Sequence, residues 1–292
     1  MTEVSEYYNT LANNYSEQYR RENLNSLGDY PANYFRLQIL VRRIAGLGLK
    51  SVFEVGTGEG TPLLIMASMG LRVAGCDIAH SMVKKARDTF EEHGLAPELV
   101  QWGDIEDAAT LAAQLKDGQF DAVIAAGVLP HVKNDGLMLD NIGMFVRSGG
   151  RVFVEFRNKL FSLFTFNRYT QEFILNDLLH DVSPDIKEVV AGELAKRLAT
   201  DQPPIRVSDE SGKPSYDSIL SRFHNPFELL ELFKGRGYRE PVIHWYHYHP
   251  APPMLENALG ETFRNAAMNL EHEGSWRGWF LCSAGVIEAV KD

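Results

Sequence analysis

A carboxylate followed by alternating glycines occupies Glu54-Val55-Gly56-Thr57-Gly58-Glu59-Gly60, directly after the apolar pair Val52-Phe53 and ahead of a helix-compatible stretch. Glycines at 56, 58 and 60 leave bare backbone where side chains would collide with a ligand. A strand-to-helix turn without a ligand needs fewer of them. A dinucleotide fingerprint reads Gly-x-Gly-x-x-Gly, with a helix N-terminus beneath the pyrophosphate. Position 61 is Thr, so the last glycine of that pattern is missing. Glu54, just before the turn, would repel a pyrophosphate and attract a cation. The turn therefore suits a cationic, phosphate-free ligand held by Glu54, Gly56, Thr57, Gly58 and Gly60, with a dinucleotide as the rival.

Other residues capable of chemistry lie further along. Asp77 ends the apolar run from Arg72 to Cys76. A short carboxylate there can accept two hydroxyl hydrogen bonds at once; the alternative is a cap for the helix beginning at Ser81, for which Ser81 itself is the better candidate. His131 follows the run Phe120 to Ala126 through Gly127-Val128-Leu129-Pro130. It can take a proton from a substrate hydroxyl, or simply pack beside the ligand.

The run His244-Trp245-Tyr246-His247-Tyr248-His249-Pro250 is the most unusual in the chain. On a strand, Trp245, His247 and His249 share one face and His244, Tyr246 and Tyr248 the other. Tyr246 and His247 are candidates for an aromatic substrate wall, against ordinary sheet packing and against metal binding by His247 and His249. No third ligand is specified by spacing, and the two cysteines, Cys76 and Cys282, form no Cys-x-x-Cys pair, so no metal is expected.

The elements that must position these residues read as alternating strands and helices. Apolar runs at Ser51 to Val55, Arg72 to Cys76, Glu98 to Trp102, Phe120 to Ala126 and Arg151 to Phe156 alternate with helical stretches at Thr61 to Met69, Ser81 to His93, Asp107 to Lys116 and Asn134 to Val146. Gly149-Gly150 separates the last helix from its strand. The pattern predicts an α/β, Rossmann-like, doubly wound and mostly parallel seven-stranded sheet. After Phe156 the rhythm breaks into a mainly helical insert, read as a cap, ending in a loop over Asp201 to Ser215 rich in Pro, Ser and Gly. A helix from Pro226 to Lys234, a strand near Pro241 to His247, a helix from Leu255 to Leu270 and a strand from Trp279 to Ala289 complete an antiparallel edge. The expected divisions are 1–34, an N-terminal lid; 35–156, the cofactor-binding core; 157–222, the cap; and 223–292, completion of the core.

Of the 292 residues, 39 are acidic and 29 are Lys or Arg. The resulting net charge of −10 would repel a polyphosphate, so nucleic acid is not an expected partner. No apolar run reaches the ~18 residues of a membrane span, and the N-terminus is polar and tyrosine-rich; a cytoplasmic enzyme is expected. Nothing in the sequence indicates an oligomeric state.

The glycine turn, Asp77, the loop Gly103-Asp104-Ile105 and the segment Phe120 to Val132 together resemble the class I S-adenosylmethionine-dependent methyltransferases, especially the small-molecule enzymes of the ubiquinone-biosynthesis and glycine N-methyltransferase types. The resemblance covers about residues 35 to 156 well and the termini loosely. It implies S-adenosyl-L-methionine as cofactor. By it, Glu54, Gly56 and Gly58 line the methionine part, Asp77 takes the ribose hydroxyls, and Ile78 and Met82 flank the adenine. Asp104 and Ile105 form the adenine loop, Ala126 at the end of the fourth strand also binds the cofactor, and His131 is the candidate catalytic residue. Tyr7 to Tyr15 is similar to a lid helix, with Tyr15 closing over the cofactor and Tyr19, Arg20 and Arg36 as weaker candidates for the methionine carboxylate; an aromatic face packing on the core is the alternative. Arg157 and Asn158, at the end of the fifth strand, either meet the substrate or fix the start of the cap.

The expected activity is methyl transfer to a small molecule, with oxygen preferred over nitrogen because histidines and tyrosines crowd the predicted mouth. An N-methyltransferase, a dinucleotide-dependent oxidoreductase and a non-catalytic binding module are the alternatives. An enclosing cap favours a metabolite over a polymer.

Overall fold

The computed structural model describes residues 3–11, 19, 30–198, 219–271 and 274–292. The five apolar runs form β1 (Ser51–Val55), β2 (Arg72–Asp77), β3 (Val100–Trp102), β4 (Phe120–Ala125) and β5 (Val146–Arg157). All pair in parallel. β6 (Tyr238–Tyr248) and β7 (Cys282–Lys291) extend the sheet, β7 running antiparallel to both β5 and β6. The order β3-β2-β1-β4-β5-β7-β6 is the expected seven-stranded, mostly parallel sheet with an antiparallel edge. β1 is buried at every position, as a central strand covered on both faces must be.

Helices α1 (Glu3–Leu11), α2 (Ala32–Gly46), α3 (Thr61–Ser68), α4 (His80–Glu92), α5 (Ala108–Leu111) and α6 (Asp135–Phe145) precede β5. One face of the sheet packs Phe53, Phe120 and Phe145 into an apolar layer, with Phe53 and Phe145 stacked at 4.1 Å. The other buries Ile44 of α2 and Phe90 of α4 against Val52, Ala122 and Phe153.

Four local expectations are corrected. The third strand starts at Val100 because Pro97 opens a 3-10 turn over Pro97–Leu99, and proline lacks the ladder donor. Gly149-Gly150 does not separate helix from strand. Both glycines lie within β5 at an irregularity against β4, where a Cβ on Gly150 would stand 2.8 Å from the Asp121 carbonyl. Ser81 is not the cap of α4; the N-cap is Ala79, whose N–H donates to Asp77 Oδ1 at 2.8 Å. The helix expected from Leu255 to Leu270 is broken at Gly260 (φ +50°) into α11 (Glu256–Leu259) and α12 (Glu261–Leu270), numbered after the insert helices and α10.

The insert after β5 is helical where described: a 3-10 turn Lys159–Phe161, α7 (Ser162–Thr165), α8 (Arg168–Phe173) running into a π turn Ile174–Leu178, and α9 (Pro184–Arg197). The chain rejoins the core where His224 bridges to Asn158. It continues into α10 (Pro226–Gly235), and α13 (Gly278–Leu281) leads into β7. Among the described residues, no helix is long and apolar enough to cross a membrane.

Candidate functional site

A cavity of about 690 Å³ opens beyond the carboxyl ends of β1, β2 and β4. The strand order reverses there, the usual ligand position in an open α/β sheet. Its wall brings together Glu54, Gly56, Thr57, Gly58, Asp77, Ile78, Met82, Asp104, Ile105, Ala126 and His131.

The glycine turn reaches this position through backbone that only glycine adopts easily. Gly56 has φ +72°, and its N–H and that of Thr57 both donate to the Cys76 carbonyl, at 2.8 and 3.1 Å. A Cβ on Gly56 would stand 2.5 Å from Val128 Cγ2, so the bare backbone lets the loop after β4 close on the turn. Gly58 N–H donates to Asp77 Oδ2 at 2.9 Å. Gly60 lies outside the cavity wall: at φ +91° its missing Cβ would stand 3.1 Å from the Phe90 ring, so this glycine lets α3 approach α4.

Charge and burial mark the turn as incomplete by itself. Glu54 Oε2 and Thr57 Oγ1 are buried without a hydrogen-bond partner. Burial pushes the Glu54 carboxyl well above the usual carboxylate range, with the Arg36 guanidinium opposing and Asp77 and Glu59 adding to it. A cation beside it would restore the charged form. Burial raises Asp77 to about 6 against the opposing N–H groups of Ala79, Gly58 and Ile78. Each Asp77 oxygen accepts one backbone hydrogen bond and keeps a further lone pair. Asp104 Oδ1 accepts from Glu106 N–H at 2.9 Å, and the Ile105 carbonyl from Asn141 Nδ2 at 2.6 Å, fixing the loop after β3.

His131 ends a 3-10 turn, Leu129–His131, after β4. Its Nδ1 lies 2.6 Å from the Leu220 carbonyl and its Nε2 3.1 Å from the Tyr8 hydroxyl. A carbonyl only accepts, so Nδ1 carries the proton and Nε2 presents its lone pair on the Tyr8 side. Burial lowers the His131 pKa and Arg157 lowers it further, against the Leu220 carbonyl and Glu155. The ring is therefore neutral at pH 7.

Beside the site, Arg36 Nη1 donates to Glu155 Oε2 at 2.9 Å and its Nη2 to the Tyr19 hydroxyl at 3.2 Å. Glu155 also accepts from Gly127 N–H and, at 2.9 Å, from the Tyr246 hydroxyl. Burial alone would raise Glu155; Arg36, Arg157 and these donors outweigh it and hold the carboxyl below its usual range.

Comparison with known proteins agrees with this geometry. A methyltransferase-domain family profile matches residues 53–154. A ubiquinone biosynthesis O-methyltransferase of Salmonella arizonae is 31% identical over 218 residues, covering 75% of this chain and 74% of that protein. The chain belongs to the class I S-adenosylmethionine-dependent methyltransferases. A protein of the same name from Aromatoleum aromaticum is 30% identical over 156 residues, 53% of this chain; the match spans 64% of that relative, under two thirds of its length. The solved magnesium protoporphyrin IX methyltransferase of Synechocystis PCC 6803, with bound SAH, matches with a TM-score of 0.54 and 15% identity over 99% of this chain and 98% of that one. At that identity the likeness is one of fold.

S-adenosylmethionine is the cofactor of this family, and the residues present fit it. The unpartnered Glu54 oxygen and Thr57 hydroxyl meet the need of an ammonium and a polar ligand edge, and Ile78, Met82 and Ile105 add apolar wall.

Several expected substrate contacts do not reach the methyltransferase cavity. Asn158 is 0% exposed; its amide donates to the Trp279 and Cys282 carbonyls at 2.8 and 2.9 Å and accepts from Leu160 N–H. It fixes the start of the insert. Arg157 donates to the Ser221 hydroxyl and does not itself line the cavity. Tyr246 is buried on Glu155. His247 adopts φ +61°, which breaks the strand's alternation and stacks its ring on Tyr30 at 4.6 Å. Trp245 instead packs on Phe156 and Trp279. Tyr15 lies outside the described residues.

Tyr8, Lys133 and Leu220, not singled out in the sequence, also line the wall, as do Glu3, Val4 and Tyr19. The tyrosine-rich start of the chain was a signal for Tyr8. Leu220 contributes a backbone carbonyl, which no residue type announces.

Proposed function

We propose that the chain transfers the methyl group of S-adenosylmethionine to a hydroxyl oxygen of a small molecule, with His131 as the base that takes the hydroxyl proton. The observation carrying this reading is the hydrogen bond from His131 Nδ1 to the Leu220 carbonyl, which leaves a neutral ring whose Nε2 lone pair meets the Tyr8 hydroxyl in the cavity wall, the partner an acceptor hydroxyl would replace. A neutral, oriented imidazole is what removal of a proton from a weakly acidic hydroxyl needs. The similar ubiquinone biosynthesis enzymes are O-methyltransferases, which supports oxygen as acceptor.

When bound, the cofactor supplies a methyl carbon already activated by its sulfonium. Glu54 and Thr57 hold the amino-acid end, Asp77 the ribose, and Ile78, Met82, Asp104 and Ile105 the adenine, with Gly56, Gly58 and Ala126 giving close backbone approach. The core over 35–156 and 223–292 carries these contacts, and the insert, returning through Leu220, bounds the acceptor side. Helix α1, through Val4 and Tyr8, covers the cavity and excludes water. The acidic net charge of −10 speaks against a nucleic-acid acceptor.

Transfer of a labelled methyl group to a panel of phenols, alcohols and amines tests the reading. Turnover on hydroxyl acceptors, reduced in His131→Gln, is expected. Methylation confined to amines would overturn the choice of oxygen, and an undiminished rate in His131→Gln would remove the base.

A further inference from the structure

We propose that the segment by which the insert returns to the core sets the tautomer of His131, and that Arg222 and Asp135 are positioning residues for this base; the proposal rests on the reading of His131 above. In water the Nε2–H form of a neutral imidazole is ordinarily the more populated, and it would point a proton, not a lone pair, at the acceptor. Which nitrogen carries the proton is decided by the partner of the other. Here that partner is the Leu220 carbonyl, 2.6 Å from Nδ1 and 89 positions away in the chain.

A backbone carbonyl can do this only if its segment is held. Arg222 N–H donates to the Pro130 carbonyl at 2.8 Å, immediately beside His131, and His224 N–H donates to the Arg157 carbonyl at 2.8 Å. The Arg222 guanidinium is paired with the Asp135 carboxylate at the start of α6. Asp135 is held below the usual carboxylate range: His224 and Arg222 outweigh the effect of burial. A charged, partly buried pair is stiffer and stronger than a neutral one. It ties the returning segment to the element that follows His131. Loss of the pair frees Leu220 to shift, and a carbonyl displaced beyond hydrogen-bond range no longer selects the Nδ1–H form.

The experiment compares long-range nitrogen–proton correlation spectra of the histidine side chains in the full chain and in Arg222→Ala, Asp135→Asn and Arg222→Lys, with His131 assigned from its absence in His131→Gln. The expected result is an Nδ1–H tautomer in the parent chain and a mixture or the Nε2–H form in Arg222→Ala and Asp135→Asn. The parent form should be largely restored in Arg222→Lys. Turnover should fall at least fivefold in the first two, while the acceptor KM and the affinity for S-adenosylhomocysteine stay within twofold. An unchanged His131 tautomer in folded Arg222→Ala or Asp135→Asn overturns the proposal. Full turnover in His131→Gln, with the tautomer still moving in Arg222→Ala, overturns the base reading instead and leaves the coupling of segment to ring in place.

Discussion

The guanidinium of Arg36, on α2, and the carboxylate of Glu155, near the end of β5, form a 2.9 Å ion pair with side chains only 6% and 9% exposed. Removing one member of such a pair leaves a buried charge uncompensated, at about 3–5 kcal/mol. Arg36→Met should cost that amount in urea unfolding at pH 7. The sign of its pH dependence follows from the lowered Glu155 pKa. The pair's stabilisation is complete above the unfolded carboxylate value of ~4.3 and is lost as pH falls through the lower folded value. The gap between parent and Arg36→Met should therefore close in strong acid. A gap that stayed constant to pH 2 would assign the loss to packing.

His131→Ala should lower turnover by about 100-fold or more with an amply acidic hydroxyl excluded from the acceptor panel. Because burial places the folded pKa below the usual histidine value, the acid limb of kcat should lie below pH ~6.5, and the rate should be flat through neutrality. Groups facing the ring from its neighbours are Tyr8, Arg157 and Glu155. A limb centred above 7 in the pH–rate profile would contradict a neutral resting imidazole.

Asp77→Asn should weaken binding of S-adenosylhomocysteine by about 1.5–3 kcal/mol, the range for a hydrogen bond to a charged group. In the unliganded protein the lost acceptor costs about 1–3 kcal/mol, offset by relief of the burial that raises the Asp77 carboxyl. An amide offers one acceptor oxygen, whereas the carboxylate now serves Gly58 and Ala79 with separate oxygens. Calorimetry and thermal unfolding read the two effects separately, and unaltered affinity would remove Asp77 from the ribose.

Gly56→Ala combines two costs that a second substitution can separate. Left-handed backbone at φ +72° costs a non-glycine residue roughly 1–2 kcal/mol. The methyl group would also collide with Val128 Cγ2 at 2.5 Å. Adding Val128→Ala should relieve the collision and leave the backbone cost. If the double variant were no better at binding cofactor than Gly56→Ala, the close approach of Val128 would not be the reason for glycine here.

Glu271 gives a pH prediction of opposite sign to that of Glu155. It accepts from the Tyr30 hydroxyl at 2.6 Å and from Tyr248 N–H at 3.0 Å, and burial raises it to about 7. A raised carboxyl contributes stability that is fully present below ~4.3 and lost as pH climbs through the folded value. Between pH 5 and 8 the parent should lose about 2–3 kcal/mol relative to Glu271→Gln. Parallel stability curves for the two proteins would place the Glu271 pKa near its ordinary value.

The glycine-turn side of the cavity was legible because its information is local. Glu54, Gly56, Gly58, Asp77 and Asp104 each sit where an apolar run ends, so strand periodicity alone delivers them to one edge of the sheet. The surroundings of His131 and the support beside the cavity are built from pairings across the chain. Arg36 with Glu155 and His131 with Leu220 are 119 and 89 positions apart, and neither spacing has a signature. Asn158 had the right address at the end of β5, but its amide is consumed by Trp279, Cys282 and Leu160. At His247, strand alternation fails because a non-glycine residue adopts a left-handed backbone, a choice set by packing on Tyr30 rather than by propensity.

The bridge between Asn158 and His224 places the two ends of the insert side by side, with Lys159 N–H on the His224 carbonyl at 3.0 Å. A segment whose ends already touch adds little to the entropy of closing the chain, however long it grows, since that term rises only with the logarithm of length. The core can therefore accept exchange of one insert for another as a cassette, provided the incoming piece restores the carbonyl that faces His131. Under the proposed function, new acceptors can be explored by grafting without redesign of the glycine-turn half.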